Sequence, residues 1–189
     1  MSIMDGEGWI AGARSCPSPN CNDRPPHMPV SLVVVHGISL PPGEFGGAHI
    51  DDLFCNRLDP DGHPYFAAIA GLKVSAHLLV RRDGEVVQYV PLTKRAWHAG
   101  SSSYNGRDNC NDFSVGIELE GTDDVPYDPR QYPVLARLIR QLRTCFPAIG
   151  DHIVGHEHVA PGRKTDPGPS FDWTLLRRLL DDQEETGHV

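Results

Sequence analysis

The chain has 189 residues, a formal net charge of −8, and 39% hydrophobic against 22% charged residues. That is the length of one domain with enough apolar material for a sizeable core. The acidic balance argues against nucleic acid or an anionic membrane as the main partner. No apolar run approaches the roughly 18 residues needed to span a bilayer. The start, MSIMDGEGWIAGARS, lacks the basic region and apolar core of a signal peptide. Cys16, Cys21, Cys55, Cys110 and Cys145 are odd in number and scattered, which is no disulfide framework. These features lead us to expect one domain over 1–189, ordered from about 8 to 182, cytoplasmic, with reduced thiols. Nothing in the sequence demands a partner chain, so a monomer is expected. Cys16, Cys21 and His27 lack the spacing and the fourth ligand of a zinc knuckle.

Residues 11–30, rich in Pro, Asn and Asp, read as an irregular lead-in. SLVVVH (31–36) is β-branched and apolar on both faces, as a central strand should be. It ends at His36 and gives way to a turn-rich loop, GISLPPGEFGG. Ile50, Leu53, Phe54 and Leu58 recur at helical spacing over 48–58. SAHLLVRR and EVVQYV flank Asp83-Gly84, a two-residue hairpin signal. RAWHAGSSSYNGRDNCND reads mostly as loop. FSVGIELE (113–120) alternates: Phe113, Val115, Ile117 and Leu119 face one way, Ser114, Gly116, Glu118 and Glu120 the other. Two small residues followed by carboxylates suit the floor of a cleft. Asp128-Pro129 signals a helix start, and Tyr132, Leu135, Ile139, Leu142 and Phe146 carry the helix onward, although Pro133 interrupts its first turns. Arg130, Arg137, Arg140 and Arg143 read as a solvated face of that helix. A short helix over 172–182 and a polar tail close the chain. Strands mixed with helices predict an α/β (α+β) domain on a central mixed β-sheet flanked by helices.

VGHEHVAPGRKTDPGPS (154–170) concentrates two histidines, a lysine and an aspartate where Pro and Gly favour a fixed, irregular loop. Of the ten histidines, His27, His49, His63, His152 and His188 lie in polar or turn contexts and read as surface residues. His36 differs because it ends a buried strand, and open α/β sheets tend to bind ligands at strand carboxyl ends. His36, His156 and Asp166 together form a set that suits zinc with a fourth tetrahedral position open. The same donors also make the facial triad of iron oxygenases. Hydrolysis there needs a base, Glu118 or Glu120, and a cation, Lys164 or Arg163. Alternation does not separate the two glutamates, and His158 rivals His156.

These motifs are arranged as in a known family. PSPN (17–20), SLVVVH (31–36), ISLPPGEFGG (38–47), HPYF (63–66), SAH (75–77), RRDG (81–84), RAWHAG (95–100), CNDFSVGIELEGTD (110–123) and RKTDPGPSFDW (163–173) occur in order across nearly the whole chain. The chain resembles the cytoplasmic 1,6-anhydro-N-acetylmuramyl-L-alanine amidases (the AmpD type) of the zinc-dependent type 2 amidase family, which also includes peptidoglycan recognition proteins. The resemblance implies that fold and one Zn2+ held by His36, His156 and Asp166. It also implies Glu118 as catalytic acid/base and Lys164 as the residue that meets the oxyanion. The implied substrate is a small muropeptide, cleaved between the lactyl group of anhydro-N-acetylmuramic acid and L-alanine. In Gram-negative bacteria that is a peptidoglycan-recycling step whose failure can induce a chromosomal β-lactamase, hence a link to antibiotic resistance. Trp97 offers an apolar wall to the sugar, and His98 and Arg107 are further candidate contacts. Where the family usually has Asn after the first metal histidine this chain has Gly37, and Glu157, His158 and Gly162 also depart. Those family positions surround the substrate, so contacts there are expected to differ. The rivals are a non-catalytic muropeptide-binding module and an iron(II) oxygenase. The complete ligand trio with Lys164 counts against the first, and the spacing of His and carboxylate against the second.

Overall fold

The structure, a computed structural model, describes residues 4–182. The expected polar tail and His188 lie outside these residues. In chain order the strands are β1 (Arg14–Ser15), β2 (Cys21–Asn22), β3 (Leu32–Ile38), β4 (Leu78–Val80), β5 (Val86–Gln88), β6 (Arg95–Ala96), β7 (Ser103–Tyr104), β8 (Arg107–Asp108), β9 (Ser114–Glu120) and β10 (Ile153–Gly155). The helices are α1 (His49–Phe54), α2 (Phe66–Ile69), α3 (Gln131–Cys145), α4 (His156–Val159) and α5 (Trp173–Asp181). A six-stranded sheet runs β1-β5-β4-β9-β3-β10, parallel except where β4 meets β5. This is the expected mixed α/β architecture.

Strand β9 lies at the middle of that sheet, buried along its whole length. Val115, Ile117 and Leu119 join Val33, Val35, Leu78 and Val80 in a core covered by α3 and α5. Leu79 and Val87 point the other way, into a second core with Ile50, Phe54 and Phe66. Phe113, expected to face with Val115, instead packs with Leu32 and Val34 in a third cluster. It precedes the strand and is not bound by its alternation.

Other expectations are refined. The lead-in is not wholly irregular: β1 extends the main sheet, and β2 pairs with β6. The helix over 48–58 stops at Phe54, and Asn56 adopts a left-handed φ of 58° that ends the helical path. Ile50, Leu53, Phe54 and Leu58 are nevertheless all buried. Asp83-Gly84 is not the centre of a two-residue turn. Gly84 N donates to Arg81 O at 2.9 Å and Gly84 has φ 92°, so Arg82 and Asp83 are the centre and Gly84 the bulge. Helix α3 begins at Gln131, so Pro133 falls where its missing N–H is not needed. Arg140 and Arg143 do more than face solvent, donating to Leu179 O and Gly150 O.

Candidate functional site

The register of the central strands builds the site. His36 on β3 is paired with Glu118 on β9, so the two side chains stand on the same face as neighbours. Gly155 on β10 is paired with Val35, which brings His156, the next residue, level with His36. His156 does not enter a loop directly, because it opens the one-turn helix α4 inside the predicted irregular stretch. The chain then returns with Lys164 and Asp166, and Glu157 N donates to Asp166 O at 2.9 Å to close the loop. His36, Glu118, His156, Lys164 and Asp166 all line one cleft of about 830 Å³.

His36, His156 and Asp166 form the one three-residue metal-capable group among the described residues. His36 Nδ1 lies 3.0 Å from His156 Nδ1 and 3.1 Å from Asp166 Oδ2, and His156 Nδ1 lies 3.0 Å from that oxygen. Donors about 2.0–2.1 Å from a tetrahedral centre stand about 3.3 Å apart, close to this spacing. His156 Nε2 lies 3.1 Å from Ala99 O, which only accepts, and a longer 3.5 Å from Arg163 Nη2, which only donates; the shorter contact favours the ring proton on Nε2 and the lone pair on Nδ1. That lone pair points at a carboxylate oxygen, an arrangement that calls for a cation between them. The residues therefore fit a zinc-type ion.

Burial shifts the titration of this site. It lowers His36 to about 4, keeping the imidazole neutral as a ligand must be. Burial also raises Glu118 well above the ordinary carboxylate range; nearby Asp166 adds to this and Lys164 opposes it. For Asp166 burial acts upward, but the two imidazoles outweigh it and hold the carboxyl below its usual range. One carboxylate is thus kept anionic and another is kept basic, side by side.

The structure separates the alternatives left open by the sequence. Glu118 lines the cleft. Glu120, although on the same face, accepts from Gly46 N at 2.6 Å and Arg82 N at 3.3 Å, and lies 3.7 Å from Arg81 Nη1. It anchors the 38–47 loop. Arg163 donates to Ala99 O and Ser101 O, while Lys164 is exposed at the cleft. His158 accepts from Gly155 N at 3.1 Å and meets the Trp173 ring, away from the metal donors. Trp97 lines the cleft half-buried, its Nε1 donating to Asn22 Oδ1. His98 also lines it, against His36. Arg107 is not brought to the cleft: its guanidinium stacks 3.8 Å from the Phe113 ring centre and donates to Ser31. Of the four departures only Gly37 is a cleft residue. A Cβ there would stand 2.1 Å from the Tyr127 hydroxyl. Contrary to expectation, Glu157, His158 and Gly162 are not part of its wall.

Sequence reasoning passed over His77 and Tyr127. His77 is fully buried and lowered to about 3, chiefly by burial and then by Arg24. Its Nδ1 accepts from Gly116 N at 3.0 Å, bracing β9 beneath the site. A histidine directly before an apolar run, as in AHLLV, was the available signal. Tyr127 donates to Pro167 O at 2.8 Å, next to Asp166.

Solved structures of amidases share this fold. A crystal structure of a selenomethionine AmpD derivative superposes with a TM-score of 0.92 at 61% identity, covering 94% of this chain and 99% of that one. AmpDH3 from Pseudomonas aeruginosa, solved in complex with anhydromuramic pentapeptide, matches with a TM-score of 0.60 at 25% identity, covering 95% of this chain and 66% of that one. Together with the sheet described above, they define a mixed α/β amidase fold. The N-acetylmuramoyl-L-alanine amidase family matches residues 26–169, and the chain belongs to it. It is 62% identical over 174 residues to the 1,6-anhydro-N-acetylmuramyl-L-alanine amidase AmpD of Citrobacter freundii, covering 92% of this chain and 93% of that protein.

Proposed function

We propose that this chain hydrolyses the amide between 1,6-anhydro-N-acetylmuramic acid and L-alanine in muropeptides, as a zinc-dependent amidase. The observation that carries the activity is the placement of Glu118, buried and basic, beside the His36–His156–Asp166 donor set in one cleft. Likeness to AmpD at 62% identity supports the substrate class.

Zinc held by His36, His156 and Asp166 would polarise the scissile carbonyl and lower the pKa of water to about 7. Glu118, on the cleft floor, takes the proton of the attacking water on its carboxylate. It returns that proton to the departing alanine nitrogen, a shuttle that its raised pKa favours. Lys164 offers its ammonium to the oxyanion that develops on the lactyl carbonyl. The apolar face of Trp97 gives the sugar a wall.

A cytoplasmic, monomeric enzyme of peptidoglycan recycling is the setting we propose, with loss of activity raising β-lactamase induction. Five free thiols suit a reducing compartment. Among the described residues no helix is long and apolar enough to cross a membrane. Product analysis with an anhydromuropeptide, with and without a chelator, tests the activity. Release of the stem peptide that stops with chelator and returns with zinc is expected. Cleavage indifferent to chelator would refute the zinc, and binding without product would revive a non-catalytic module.

A further inference from the structure

His36 has two ring nitrogens, and only the one without a proton is able to serve a metal. In the structure its Nδ1 faces the other donors while its Nε2 meets His98 Nδ1 at 2.9 Å. Three neutral groups in a row leave the proton positions open unless one end is fixed, and here one end is. Ser114 Oγ donates to the backbone carbonyl of Cys110 at 2.6 Å, and a carbonyl has no proton to give. The single hydroxyl proton of Ser114 is therefore committed. The contact of 3.1 Å between Ser114 Oγ and His98 Nε2 must then carry the proton of the imidazole. With Nε2 protonated, His98 Nδ1 is an acceptor, so His36 Nε2 is the donor between them. The lone pair of His36 is left on Nδ1, toward Asp166 and His156.

We propose that His98 and Ser114 are positioning residues that fix the tautomer of His36 and so present its Nδ1 to the metal. The chain is built into β9, since Ser114 is its first residue and Gly116 makes room for the ring. A Cβ at Gly116 would stand 2.4 Å from His98 Cγ. His98 is held from its own backbone as well, its N–H donating to Asn111 Oδ1 at 3.1 Å. Second-layer partners of this kind tune affinity through ligand orientation. The proposal rests on the metal site proposed above.

The test measures zinc affinity by competition with a chromophoric chelator, and the His36 tautomer from imidazole nitrogen shifts of the metal-free protein above the imidazole pKa. His98→Leu removes the acceptor at similar volume and is expected to weaken zinc by about 10–100-fold, with His36 no longer a single tautomer. His98→Asn, whose Oδ1 can stand where Nδ1 accepted, is expected to restore most of that affinity. Ser114→Ala, a small change in volume that removes two buried hydrogen bonds, frees the direction of the chain and is expected to mix the His36 tautomers with some loss of thermal stability. Wild-type zinc affinity in His98→Leu would overturn the proposal. So would equal losses in His98→Leu and His98→Asn that track their melting temperatures, or a single His36 tautomer in Ser114→Ala. If wild-type protein itself failed to bind zinc, both the metal site and this proposal would fall. Tight wild-type binding with an indifferent His98 would remove this proposal alone.

Discussion

The two faces of β9 are both buried and chemically opposite. Toward α3 and α5 the strand presents Val115, Ile117 and Leu119, packed without a polar atom among their side chains. Toward the cleft it presents Ser114, Gly116, Glu118 and Glu120, with His36, His77 and His98 around them. The apolar face contributes burial, worth about 25 cal/mol per Å² of apolar surface. The polar face gains little from burial and depends on each group finding a partner. Glu120 has found its partners, in Arg81 and two backbone amides. Glu118 is 8% exposed without such an anchor, and burial raises its pKa. Stability and reactivity are thus divided between two faces of a single strand.

The sharpest way to break this division is at the donor set. Asp166→Ala removes the anionic ligand, and purified protein should lose its metal by elemental analysis and its turnover to background. Stoichiometric zinc in that variant would show that Asp166 is not a ligand. On the opposite face, Ile117→Ala should cost about 2–5 kcal/mol of unfolding free energy through the cavity it leaves. Turnover per folded, metal-loaded molecule should change little. A large fall in turnover without loss of stability would mean that the faces are not independent.

Glu118→Gln should lower turnover by about 100-fold or more while leaving zinc content intact. Its effect on stability should have the opposite sign. A carboxyl raised by folding contributes stability below its unfolded pKa of about 4.3. That contribution is lost as pH climbs through the raised folded value. Metal-free Glu118→Gln should therefore melt above wild type at neutral pH, with the gap narrowing as pH falls toward 4.3. A gap that does not vary with pH would mean Glu118 titrates alike folded and unfolded. The smallest effect expected is Tyr127→Phe, which deletes the buried hydrogen bond to Pro167 O. It should cost about 1 kcal/mol, read from chemical denaturation, and fall mainly on the loop that carries Asp166.

Much of this was legible along the chain. Alternation over FSVGIELE gave both faces of β9 from Ser114 on, because side chains in a strand must point oppositely at each step. The apolar run ending at His36 located the strand, although pairing with β9 carries it on to Ile38, and helical spacing found α3. Local pattern stopped where contacts became long-range. His36 and Asp166 are 130 residues apart in sequence, so donor chemistry suggested the set but no spacing rule could place the two side by side. Glu118 and Glu120 look alike in IELEG, and they part only because Arg81, Gly46 and Arg82 arrive beside the second. Lys164 and Arg163 part because the carbonyls of Ala99 and Ser101 take up the guanidinium. The direction of the Ser114–His98–His36 hydrogen bonds likewise depends on one backbone carbonyl, which only tertiary folding places. Residue type and periodicity decided which side chains face the cleft. Which of them carry a free lone pair, a free charge or a raised pKa was decided by the partners that the fold assembled around each.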